Sequence, residues 1–128
     1  MLEVGVGSGL NLPFYAPGTA CLIAIDPSLE LLQLATKRRL AARTPISLLP
    51  ASAEQLPFAN AVFDTVVMTW TLCSIAHPVA ALREMSRVLK PGGRVRLRCD
   101  RNRLHERPEA LDLHVSGFRE EVAIEGAG

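Results

Sequence analysis

The sequence predicts an α/β fold, a three-layer sandwich around a mainly parallel sheet. Three observations predict it. Apolar runs of strand length alternate with helix-patterned segments four or five times along the chain, the order that builds parallel strands joined by crossovers. The run Cys21–Ile25 is apolar without alternation, as in strands covered on both faces. The first short strand runs directly into glycines at alternate positions, Gly5, Gly7 and Gly9, and a strand that feeds a glycine loop is how such sheets build nucleotide sites.

The chain of 128 residues, 48% of them hydrophobic, suits one domain with one core. A net charge of +1 gives no electrostatic ground for nucleic-acid binding. Cys21, Cys73 and Cys99 form no CxxC pair, so neither a metal site nor a disulfide framework is expected. An intracellular, cytoplasmic setting is expected, with no membrane span, because no apolar run is long enough.

The elements follow in order. Residues 1–4 are a buried strand and Gly5–Gly9 a loop. Leu10–Tyr15 is a brief helix weakened by Pro13, and Ala16-Pro17-Gly18 is a turn. The second strand ends at Asp26. Pro27 and Ser28 then open a helix to about Ala42, with Ser28 as N-cap and Glu30 in the first turn, where the helix dipole favours an anion. Leu29, Leu32, Ala35 or Thr36, and Leu40 are its expected apolar stripe. Lys37, Arg38 and Arg39 read as a solvated helix end.

Ile46–Leu49 is a third strand. Pro50–Ala61 is a loop with one helical turn around Ala53–Gln55. Phe63–Thr69, rich in β-branched residues, is a fourth strand. After a connection, Pro78 starts a helix whose Val79, Leu82, Met85, Val88 and Leu89 face one way and Arg83, Glu84 and Arg87 the other. Lys90-Pro91-Gly92-Gly93 stops it, and Arg94–Arg98 is a fifth strand. Beyond it, Glu109–Val115 is expected to be a short helix and Phe118–Ile124 a last strand. A single domain thus spans 1–128, with a core at 1–98 and a short C-terminal extension at 99–128. Met1 precedes at once a strand expected in mid-sheet, and the tail is brief, so the domain is expected to be shortened at both ends.

The loop spacing is G-x-G-x-G. The dinucleotide fingerprint wants G-x-G-x-x-G, and Leu10 stands where its third glycine belongs. No lysine follows in phosphate-loop register. Asp26 lies about 20 residues beyond the loop at a strand end, where a carboxylate accepts hydrogen bonds from a ribose diol.

These residues resemble those of class I, Rossmann-like methyltransferases of the type-11 branch. The resemblance rests on Glu3-x-Gly5-x-Gly7-x-Gly9, Ile25-Asp26-Pro27-Ser28, the run Ala51–Phe58, the strand Phe63–Val67 and the run Leu82–Gly93, and it covers roughly residues 1–98. It implies S-adenosylmethionine as cofactor and methyl transfer to a small-molecule or lipid-like acceptor. It implies that the Gly5–Gly9 loop passes under the cofactor, that Glu3 fixes the loop and the amino end, and that Asp26 holds the ribose. Pro27, Ser28, Ser52 and the Ala53 main chain lie near the adenine, with Ser52 standing where the family often has aspartate. Thr69 and Trp70 line the methyl-transfer side, Trp70 as a substrate-facing aromatic. No catalytic residue is implied; His77 is the one nearby candidate for a general base. Two rivals stay open. One is a methyltransferase-like binding module that acts through a partner chain, with that partner or a second copy covering an open face. The other is a nicotinamide-dependent oxidoreductase, disfavoured by Leu10.

Overall fold

The computed structural model describes residues 1–19, 21–69, 74–100 and 119–125. The elements are β1 (Leu2–Val4), a 3-10 turn (Leu12–Phe14), β2 (Leu22–Asp26), α1 (Leu29–Arg39), β3 (Ile46–Pro50), β4 (Phe63–Thr69), α2 (Pro78–Val88), β5 (Leu89–Asp100) and β6 (Arg119–Glu125). Six strands form one sheet in the order β3-β2-β1-β4-β5-β6, and every neighbouring pair is parallel.

The three-layer α/β expectation is met. On one face, Leu2, Val4, Val66, Met68 and Val95 pack with Leu82, Met85 and Val88 of α2. On the other, Leu22 and Ala24 pack with Leu12 and with Leu32 and Ala35 of α1. β1 is buried on both sides, which explains its apolar sequence and leaves its single carboxylate, Glu3, only 1% exposed. Successive strands step outward from β1 one way through β2 and β3, and the other way through β4 and β5. The carboxyl ends of β1 and β4 therefore flank the crevice where such sheets bind ligands.

Several local expectations are corrected. The stripe on α1 narrows to Leu32 and Ala35, while Leu29 and Leu40 are 64% and 82% exposed, because Leu29 lies in the first turn and Leu40 lies past the helix end. The stretch Ala53–Gln55 makes no helical turn; Ser52 and Gln55 form an isolated bridge around it. α2 ends at Val88, before Lys90-Pro91-Gly92-Gly93. Leu89 already pairs with Phe63, and the ladder resumes at Thr65 and Arg94. The proline-glycine stretch is thus an irregularity inside β5 as well as a helix stop. A Cβ at Gly93 would lie 2.8 Å from the Lys90 carbonyl oxygen and 3.0 Å from that of Asp64, so the close approach of β4 and β5 requires glycine there.

The expected last strand is present as Arg119–Glu125, one residue later than read, and runs parallel to β5. The expected helix Glu109–Val115 lies outside the described residues. No helix among the described residues is long and apolar enough to cross a membrane.

Candidate functional site

The glycine loop leaves β1 and turns over the end of β2. The N–H groups of Gly5 and Val6 both donate to the Ile25 carbonyl, at 2.9 and 3.0 Å. Gly5, Gly7 and Gly9 have φ of 74°, 57° and 84°, in the left-handed region that favours glycine. Their surroundings differ. A Cβ on Gly7 would meet nothing within 4 Å, whereas one on Gly9 would lie 2.9 Å from Leu12 Cδ1 and 3.0 Å from Ala35 Cα. Gly7 lines the cavity described below with bare backbone; Gly9 lets the loop pack on α1.

Asp26 fastens this loop. Its Oδ2 accepts from the Gly7 N–H at 3.0 Å and its Oδ1 from the Ser28 N–H at 2.9 Å. Ser28 is the N-cap of α1, its hydroxyl accepting from the Leu31 N–H at 3.3 Å. Arg38, read as part of a solvated helix end, instead donates Nη1 to the Ser8 carbonyl at 2.7 Å. The far end of α1 thereby ties down the loop as well.

A cavity of about 430 Å³ opens at this point, lined on one side by Gly5, Gly7, Asp26 and Pro27 and on the other by Ala51–Glu54 and Ser74–Ala76. It joins one recessed carboxylate and bare main chain to apolar walls, the pattern of a site that fixes a small molecule by a few polar groups. The two outer walls meet where the His77 N–H donates to Glu54 Oε1 at 2.9 Å.

The structure divides the expected site residues into two groups. Gly5, Gly7, Asp26, Pro27, Ser52 and Ala53 line the cavity together. Glu3 and Thr69 belong to a polar network on the β1–β4 side of the loop. Asn11 Nδ2 donates to Glu3 Oε1 at 2.9 Å and to Thr69 Oγ1 at 2.8 Å, and the Tyr15 hydroxyl donates to Glu3 Oε2 at 2.9 Å. Burial raises the Glu3 carboxyl above its usual range, although both donors pull it down. The same burial, with Glu3 beside it, pushes the Tyr15 hydroxyl upward, so it stays a donor. Gly9 supports the loop by packing. His77 is exposed at the start of α2, and its side chain makes no capping bond. Trp70 lies outside the described residues. Among the described residues, no three His, Cys, Asp or Glu side chains stand together as a metal site.

Asn11 and Tyr15 escaped the sequence reading. A signal for them exists: an acid between two core residues of a central strand must find donors, and Ser8, Asn11 and Tyr15 are the side chains with N–H or O–H groups that follow within a dozen residues. Glu54, Glu84 and Arg87 escaped it too, because each also bonds main-chain groups far along the sequence.

Such a fold and site define a class, the doubly wound α/β domains that hold a nucleoside-bearing cofactor at the switch point. The family described as "Methyltransferase domain" matches residues 2–97, and the chain belongs to that family. It is 36% identical over 95 residues to a demethylmenaquinone methyltransferase of Renibacterium salmoninarum, covering 74% of this chain and 38% of that protein. It is 38% identical over 98 residues to the thiol S-methyltransferase TMT1B of Rattus norvegicus, covering 73% and 39%. A SAM-dependent methyltransferase structure from Aquifex aeolicus superposes with a TM-score of 0.64 at 26% identity, over 72% of this chain and 51% of that one. The chain thus spans well under half the length of these two curated relatives.

The family and these relatives imply S-adenosylmethionine as cofactor, and the residues present fit it. The cavity offers Asp26 for a diol, an apolar slot between Pro27, Ala51 and Ala53 for a base, and a loop surface at Gly7 that a side chain would fill.

Proposed function

We propose that this chain binds S-adenosylmethionine in the cavity at the ends of β1 and β2 and transfers its methyl group to a small-molecule or lipid-like acceptor. One observation carries the proposal: Gly5, Gly7 and the Asp26 carboxylate converge with apolar walls in a single cavity, in a chain of the methyltransferase family. Bound there, the cofactor supplies a methyl group already activated by its sulfonium. The protein's task is then mainly to position the two reactants.

Asp26 keeps acceptor capacity beyond its two main-chain bonds, since a carboxylate can take about four, and it serves the ribose hydroxyls. Pro27, Ser52 and the Ala53 main chain frame the adenine. Gly5 and Gly7 admit the ribose and methionine portions against bare backbone. Glu3 acts through Asn11, which it orients toward Thr69 at the edge of the methyl-transfer side. Trp70, which follows Thr69 directly in the sequence, is the acceptor-side aromatic of this proposal. His77 is the candidate base, needed only for an acceptor that is protonated at working pH. A small acceptor is supported by the relatives, one a demethylmenaquinone and one a thiol methyltransferase. The cytoplasmic setting expected from cysteine usage belongs to the same proposal.

Calorimetric titration with S-adenosylmethionine, S-adenosylhomocysteine and NAD tests the site. Binding of the first two and not the third is expected; binding of NAD alone overturns the reading. Binding without methyl transfer to quinone, thiol or amine acceptors would favour the alternative of a binding module that acts through a partner.

A further inference from the structure

The main-chain groups of the cavity wall Ala51–Glu54 are loosely fastened by their own hydrogen bonds. The Ala51 N–H reaches the Asp26 carbonyl at 3.3 Å, the Gln55 N–H reaches the Ser52 carbonyl at 3.3 Å, and the Glu54 N–H reaches Ser52 Oγ at 3.2 Å. All three lie at or beyond the long end of the usual range.

The chain just after this wall is gripped by side chains of α2. Glu84 Oε2 accepts from the Leu56 N–H at 2.7 Å. Arg87 donates Nη2 to the Leu56 carbonyl at 3.0 Å, and Nη1 to the Phe58 carbonyl at 2.7 Å and to Asn60 Oδ1 at 2.9 Å. Its Nε and Nη2 also close on Glu84, at 2.8 and 2.9 Å. Both main-chain groups of Leu56 therefore end on one ion pair, two residues from Glu54. A surface salt bridge contributes little, but this pair is only 32% and 21% exposed, and three of its four bonds outside the pair go to backbone. Arginine suits the task, because its rigid fork serves several acceptors at once.

We propose that Glu84 and Arg87 are positioning residues of the cofactor cavity. From a helix that turns its apolar face to the core, they set the stance of segment 51–54 and so govern affinity for the adenosine part of the cofactor. The inference rests on the cofactor reading given above. Two anchors compete: the Glu54 side chain, whose Oε1 accepts from the His77 N–H at 2.9 Å and so holds a side-chain tip rather than a peptide group, and the burial of Ala53 and Leu56 in the α2-side core. Burial is non-directional, so it fixes depth, whereas the two bonds to Leu56 fix how its flanking peptide groups are turned.

The test compares Arg87→Met, Arg87→Lys and Glu84→Gln with the wild type. S-adenosylhomocysteine, adenosine and S-ribosylhomocysteine, which lacks the base, are titrated calorimetrically, and amide hydrogen exchange is followed without ligand. In Arg87→Met, at least tenfold weaker binding of the two adenine-bearing ligands is expected, with S-ribosylhomocysteine within twofold and faster exchange confined to residues 52–58. Arg87→Lys should recover part of the affinity. Glu84→Gln, the mildest change, should show a smaller loss of the same kind and covers the case in which Arg87→Met does not fold. Equal losses for all three ligands, or unchanged affinity for S-adenosylhomocysteine, overturn the proposal alone. Wild-type protein that binds no S-adenosylhomocysteine overturns the cofactor reading, and this inference with it.

Discussion

Gly7 and Asp26 are joined by one hydrogen bond, from the glycine N–H to Oδ2 at 3.0 Å, so the carboxylate assigned to the ribose also builds the loop above it. Asp26 is 7% exposed, and its other oxygen holds the Ser28 N–H. Asp26→Ala removes both acceptors and leaves two main-chain donors without their partner. The unfolding free energy should fall by about 1–3 kcal/mol, the range for buried groups left unsatisfied. Affinity for S-adenosylhomocysteine should fall by a further factor of about 10 or more, at ~1.4 kcal/mol per decade. Urea unfolding and calorimetry measure the two effects separately. Unchanged stability would mean that the loop holds its shape without Asp26, and unchanged affinity would remove the residue from the site.

Gly7 and Gly9 should respond differently to the same substitution. Both have positive φ, so alanine at either carries a left-handed penalty of roughly 1–2 kcal/mol. At Gly9 the new Cβ also meets Leu12 and Ala35 at 2.9–3.1 Å, and backbone must shift to admit it. Gly9→Ala should therefore lower the melting temperature more than Gly7→Ala. Gly7→Ala, whose Cβ meets nothing within 4 Å at a residue that lines the cavity, should lose more ligand affinity for the stability it gives up. Thermal unfolding of both variants, with and without S-adenosylhomocysteine, checks the ordering. The reverse ordering would mean that the packing contact and the ligand surface have been assigned to the wrong glycines.

What the sequence disclosed depended on how local each signal was. The parallel sheet could be anticipated because continuous apolar runs separated by helices call for parallel strands joined by crossovers. Ser28 was readable as an N-cap because capping acts within three residues, and Asp26 because its distance from the glycine loop is characteristic of a second strand end. Arg38 was not, since its partner is the Ser8 carbonyl, 30 residues away and without a side-chain signature. The same holds for Glu84 and Arg87, whose bonds to Leu56 and Phe58 span 28 to 31 residues. Read by helical spacing alone, they form a polar face directed at water. Leu29 and Leu40 were misplaced for a related reason: periodicity marks a face, but it does not say where the supporting sheet ends.

The buried Glu3 carboxylate should leave a mark on the pH dependence of stability. Its pKa is raised above the ordinary 4.5 chiefly by burial, with the Asn11 and Tyr15 hydrogen bonds opposing. The folded protein therefore holds this proton more tightly than the unfolded chain does. The resulting stabilisation is complete below pH 4.5 and is lost as pH rises from there through the raised value. Glu84 has the opposite sign. Its carboxyl is lowered, first by the Arg87 hydrogen bond, so its contribution is present above pH 4.5 and is lost on acidification. The two overlap in a raw stability curve, and a variant separates them. Glu3→Gln keeps the side-chain shape; its oxygen accepts from Asn11 and its amide donates to the Tyr15 oxygen, so both polar contacts survive without a titrating proton. The stability of wild type minus that of Glu3→Gln, from urea unfolding followed by circular dichroism, should decline as pH is raised from 4 to 8. A flat difference would show that Glu3 titrates alike in the folded and unfolded chain. A rising one would show that the donors of Asn11 and Tyr15 outweigh burial.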